Sequence, residues 1–189
     1  MTPLMPTSYA AYVNKKSSIT NDKAKKILHI FPYRYRFARA FTGVNAPEVG
    51  KTIAGYEAGL KVMLAYSAYE TVHKAARILN VKKIPHIKQD LRESAGIANV
   101  IRKNERLRHL LITNTDGKNL LQLLTDCFAG KNNDVICVAY GIRNAFVHGA
   151  FTAGGAGVST KSTKAAMESV ANEVLDYCDE IFTRCVATL

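Results

Sequence analysis

Tyr140-Gly141-Ile142-Arg143-Asn144-Ala145-Phe146-Val147-His148-Gly149 is the stretch on which the fold turns. Its apolar residues extend upstream through Val135, Ile136, Val138 and Ala139, and Asp134 stands where an N-cap belongs. The pattern predicts a helix that carries an arginine, an asparagine and a histidine near its far end. At roughly 100° per residue, Asn144 and His148 share nearly one face, whereas Arg143 is turned about 140° from His148. Arg143 therefore joins the other two only through its long side chain or a helix bend.

Working outward, helical spacing recurs on both sides. Upstream, Leu120–Phe128 reads as a short apolar helix ended by Gly130, after a break at Asn114–Gly117. His86–Ile112 is helical through Ile87, Leu91, Ile97, Val100, Ile101, Leu107 and Leu110. Before the turn at Asn80–Pro85, a long helix is predicted from Glu48 to Leu79, with Asn45 as N-cap. Gly50, Gly55 and Gly59 weaken its start by up to ~1 kcal/mol each relative to alanine. Downstream, Gly154–Thr160 is a small-residue connection. A final helix follows from about Thr163, its apolar face built from Ala166, Val170, Val174, Tyr177, Cys178, Ile181 and Cys185. No convincing strand competes, so the predicted class is all-α.

The first 45 residues read as a basic, aromatic-rich extension to a helical domain over 46–189. Within it, Ser17–Ile30 predicts a short helix, capped by Thr20 or Asn21 and stopped by Pro32. Phe31–Phe41 interleaves aromatics with Arg34, Arg36 and Arg39. It alternates like a strand and could equally continue as helix. Two roles stand for it: arginines on phosphate with aromatics stacking on bases, or aromatics packed on the bundle with solvated arginines.

The 189 residues carry a formal net charge of +11. Residues 1–108 hold 20 Lys and Arg against 7 Asp and Glu, and residues 109–189 hold 6 against 8. Such a balance points to a polyanion partner, since each neutralised phosphate releases counterions. A basic protein without such a partner is the plain alternative. The last helical stretch is acidic, with Glu168, Glu173, Asp176, Asp179 and Glu180.

Cys127, Cys137, Cys178 and Cys185 form no Cys-x-x-Cys pair and no metal-like cluster with histidine, which predicts reduced, buried thiols. No apolar run approaches the ~18 residues of a membrane helix. Met1–Tyr12 lacks the basic-then-apolar order of a signal peptide, so the expectation is a cytoplasmic protein without a membrane partner.

Arg143, Asn144 and His148 match the Arg-x(4–6)-His pattern, with a polar residue directly after the arginine, that marks the HEPN superfamily. The chain resembles that family over roughly residues 50–189. The resemblance implies a HEPN-like helical bundle and a metal-independent endoribonuclease of toxin or defence type. It needs no cofactor and uses the RNA 2′-hydroxyl as attacking group. It further implies a homodimer, because one motif supplies one histidine whereas cleavage needs a base and an acid. Within the family, some toxins are controlled by modification of a tyrosine two places after the histidine. Ala150 stands there, which leaves a separate protein inhibitor or antitoxin as the expected form of control. By residue type alone, Arg143 and Asn144 could instead bridge helices beside a satisfied histidine. A non-catalytic HEPN-like module that binds nucleotide or nucleic acid, or scaffolds a protein, is the alternative function. A helical interaction protein docking through its acidic last helix is another.

A second constellation is Glu70-Thr71-Val72-His73-Lys74. Some HEPN families carry an acid, then lysine four later, then an aromatic or basic residue four later. Here the third position is Ile78, with Arg77 one place early. Glu70 and Lys74, with Arg34 and Arg36, are the substrate-binding candidates. An ordinary i,i+4 ion pair is the competing explanation of Glu70 and Lys74. Gly154–Ser162 resembles a phosphate-binding loop, but Thr160 replaces the glycine required before the lysine and no strand precedes it. His29, His73, His86 and His109 show no metal-ligand spacing.

Overall fold

The computed structural model describes residues 4–81, 94–151 and 160–189. Among them all regular structure is helical, and no strand is present. The predicted all-α class is therefore correct. The helices are α1 (Tyr9–Lys15), α2 (Asp22–Ala40), α3 (Ile53–Ile78), α4 (Ala95–Arg102), α5 (Glu105–Thr113), α6 (Lys118–Phe128), α7 (Val135–Val147) and α8 (Lys161–Ala187). No helix of the described residues is long and apolar enough to cross a membrane. The chain divides into two compact units, one of Met1–Phe41, Leu64–Asp90 and Val174–Leu189, the other of Thr42–Met63 and Leu91–Glu173.

In the first unit the N-terminal segment supplies α1 and α2. Asn21 caps α2 by accepting from the Ala24 N–H at 3.0 Å. Pro32 does not stop the helix, and Phe31–Phe41 is not a strand: α2 runs through to Ala40. A mid-helix proline removes one ladder bond at a cost of about 3 kcal/mol. What offsets it is the burial of Leu28, Phe31, Tyr35 and Ala38 on one helical stripe, each large side chain contributing roughly 1.5–3 kcal/mol. Phe31 packs on Phe182 with ring centroids 4.9 Å apart, and Tyr12 meets the same ring at 5.6 Å. The start of the chain is tied to α8 by polar contacts as well. The Thr7 N–H donates to Asp179 at 2.8 Å, and Lys15 Nζ donates to the Val186 carbonyl at 3.2 Å. Asp176 pairs with Arg39. Two of the acidic residues on α8 are thus engaged within the unit, which leaves less of that helix for docking.

In the second unit the predicted Glu48–Leu79 helix begins late. Pro47–Thr52 is a 3₁₀ segment in which Gly50 takes φ +63°, a left-handed conformation that interrupts the α-helix. Its cap is Ala46, not Asn45. The described part of the predicted His86–Ile112 stretch is two helices, because Asn104 caps α5 by accepting from the Leu107 N–H at 3.0 Å. Residues 82–93 lie outside the described residues, His86 among them. α6 packs against α4, α5 and α7. The fully buried Ile101, Leu107, Leu111, Leu124 and Ile142 form the core of this unit.

Candidate functional site

α7 starts where the sequence places it. Both Asp134 carboxylate oxygens accept from the first turn, from the Ile136 N–H at 2.9 Å and the Cys137 N–H at 3.2 Å. Asp134 is buried, so these charge-assisted bonds are what make its burial tolerable. The turn before it is held by Arg102, which donates to the carbonyls of Cys127 (2.7 Å) and Asn132 (2.6 Å) and to Asn133 Oδ1 (2.7 Å). Midway, Gly141 lies against Leu111 and Leu124, where an added Cβ would stand 3.2 and 3.3 Å from their methyl groups.

The far end of α7 carries the three motif residues. Arg143 Nη1 donates to Asn144 Oδ1 at 3.0 Å, so the guanidinium and the amide lie side by side, both half-buried. The arginine thus reaches sideways to its neighbour, across the roughly 100° between consecutive positions. His148 is the C-cap of α7: its N–H donates to the Asn144 carbonyl at 2.9 Å, and its side chain is exposed. Gly149 follows at φ +72°, the left-handed turn that glycine accepts without strain. The chain then folds back, the Phe151 N–H donating to the Ala145 carbonyl at 2.9 Å. Asn144 Oδ1 accepts from Arg143, which leaves the amide NH2 as a donor beside the remaining guanidinium N–H groups. Such a pair of donors suits an anion.

Three aromatic rings fix this end of the helix. Phe146 and Phe151 lie 5.3 Å apart by centroid, with Tyr56 6.4 and 6.2 Å from them. Gly59 on α3 sits under both phenylalanines; a Cβ there would approach Phe146 Cδ2 to 2.9 Å and Phe151 Cζ to 3.0 Å. Gly59→Ala is expected to destabilise the protein by up to about 2 kcal/mol. Overpacking of about 1–3 kcal/mol outweighs a helix-propensity gain of up to ~1 kcal/mol. Urea unfolding measures it, and a stabilised variant would mean that the rings yield freely.

The substrate-binding candidates belong to the first unit. There α2 and α3 enclose a groove of about 760 Å³. Arg34, Glu70 and Lys74 line it together; Arg36 is exposed but does not line it. Lys23, which sequence reasoning missed, and Arg77, one place early for the third position of the constellation, complete the rim. A signal for Lys23 existed, since Lys23, Ile27, Ile30 and Arg34 repeat at helical spacing on one face of α2. Arg34 is oriented by the Thr71 hydroxyl at 2.8 Å and the Ser67 hydroxyl at 3.2 Å. The expected Glu70–Lys74 ion pair is not formed among the described residues. Both side chains are exposed at the groove instead. His73 is buried with its ring 5.4 Å from that of Tyr69, whereas His29 and His109 are surface residues.

Among the described residues no cluster of three or more His, Cys, Asp or Glu side chains is placed to hold a metal ion. The glycine-rich connection at 152–159 lies outside the described residues. Comparison of the chain with protein-family models, with curated proteins and with solved structures finds no match.

Proposed function

We propose that the chain is a HEPN-type endoribonuclease of toxin or defence kind, which cuts RNA without a metal at a site shared by two copies. The observation that carries this reading is the end of α7. Arg143 and Asn144 are bonded to each other at 3.0 Å, and an exposed His148 caps the same helix one turn later. None of the three is sealed in the core, so a phosphate can reach them. In the reaction, His148 takes the proton from the 2′-hydroxyl, whose oxygen forms a bond to the adjacent phosphorus. The bond to the 5′-oxygen breaks, leaving a cyclic phosphate. His148 of the partner subunit returns a proton to the departing oxygen. Arg143 and the Asn144 amide stabilise the charge that develops on the phosphate.

The test compares RNA cleavage by the wild type and by His148→Ala in EDTA, with light scattering to establish the dimer. EDTA-resistant cleavage that disappears in the variant supports the proposal. Equal cleavage by both proteins, or a strict monomer at high concentration, sinks it. The cationic groove of the first unit favours a second reading, a module that retains nucleic acid without cutting it. RNA binding with no cleavage in either protein would select that one.

A further inference from the structure

We infer that the α2–α3 groove and the adjoining face of α2 bind single-stranded RNA, its phosphates on Lys23, Arg34, Lys74 and Arg77 and its bases on Tyr33 and Phe37. The choice of RNA rests on the proposed function; the geometry does not. Four cationic side chains line the groove against one carboxylate, Glu70, and all five are exposed. The unit to which the groove belongs, residues 1–41, 64–90 and 174–189, holds 14 Lys and Arg against 6 Asp and Glu. A row of like charges held around one groove is self-repelling, and a polyanion relieves that repulsion while releasing its own counterions.

Stacking surface lies beside the charge. Tyr33 follows Ile30 by three positions and Phe37 follows Arg34 by three, so both aromatics occupy helix surface next to residues of the groove. They are 53% and 61% exposed, the two most exposed aromatic rings among the described residues, while Phe31 and Tyr35 on the same helix are buried in the core. One helix thus splits its aromatic residues into a packing set and a solvent set. Large rings kept in water beside cations are the composition of a single-strand platform, where flat bases stack and the backbone follows the charge. A duplex hides its base faces and an acidic peptide has none, so neither accounts for the two rings.

The experiment measures binding of a short fluorescein-labelled 2′-O-methyl oligouridine, which cannot be cut by 2′-hydroxyl attack, by anisotropy over a range of salt. Lys74→Ala with Arg77→Ala is expected to weaken binding and to flatten the logarithmic salt slope by about 1.4, at about 0.7 per phosphate contact on a single strand. Tyr33→Ala with Phe37→Ala is expected to weaken binding about fivefold or more at an unchanged slope. All four side chains are exposed, so the variants should melt with the wild type. Wild-type affinity in either variant overturns the inference, as does equal competition by uridine monophosphate or by polyglutamate. His148→Ala is expected to bind as the wild type does. Loss of cleavage with binding intact therefore reports on the α7 site, and loss of binding reports on the groove.

Discussion

On the proposed ribonuclease mechanism, alanine at His148 should lower the rate of RNA cleavage by about 10²- to 10⁴-fold, the usual contribution of one proton-transferring side chain. The same substitution should leave stability within about 0.5 kcal/mol of the wild type, because an exposed side chain away from packing carries little of the fold. His148 meets that condition: it holds the end of α7 through its backbone N–H, which alanine retains. The pairing of a large kinetic effect with a small thermodynamic one is the discriminating result. A loss of cleavage accompanied by an equal loss of folded protein would assign His148 a structural role.

Phe182→Ala should destabilise the protein by about 3–5 kcal/mol, as buried phenylalanine truncations do. Phe182 is fully buried in the first unit, with Phe31 at 4.9 Å and Tyr12 at 5.6 Å on its ring. Its removal leaves a space bordered by two other aromatic rings, which are too stiff to collapse into it. Against a total of about 5–15 kcal/mol for a folded protein, that loss approaches unfolding. Guanidinium denaturation measures it. Limited proteolysis should also find new cuts near Tyr12, since that residue loses its packing partner. A change below about 1 kcal/mol would mean that the cluster repacks.

The class of the fold and the frame of α7 were legible because their determinants are local. Asp134 followed by an apolar run, Asn21 before α2, and Gly130 after α6 at φ +78° each act within a few residues of where they stand. Pro32 was misread for the opposite reason. Its local penalty is outweighed by Phe31, Tyr35 and Ala38, whose partners lie far along the chain in α8 and elsewhere. The break at Lys103–Asn104 turns on one side-chain bond to Leu107, which a run of helix-compatible residues concealed. The candidate site divides in the same way. Arg143, Asn144 and His148 are within one helix and its cap, so spacing brought them into view. The groove is built from Lys23 and Arg34 on one helix and from Lys74 and Arg77 on another, and only tertiary packing makes them neighbours. Arg36, two positions from Arg34, faces elsewhere because a helix turns by roughly 200° over that interval.

All four sulfhydryl groups lie inside the protein, Cys178 and Cys185 in the first unit, Cys127 and Cys137 in the second. Burial pushes Cys185 up to about 12, and the adjacent Cys127 together with burial pushes Cys137 up as well, so the nucleophilic anion is scarce at neutral pH. The folded chain should therefore resist iodoacetamide. Alkylation, read by mass spectrometry residue by residue, would time the opening of each unit separately, with reporters that evolution has already installed.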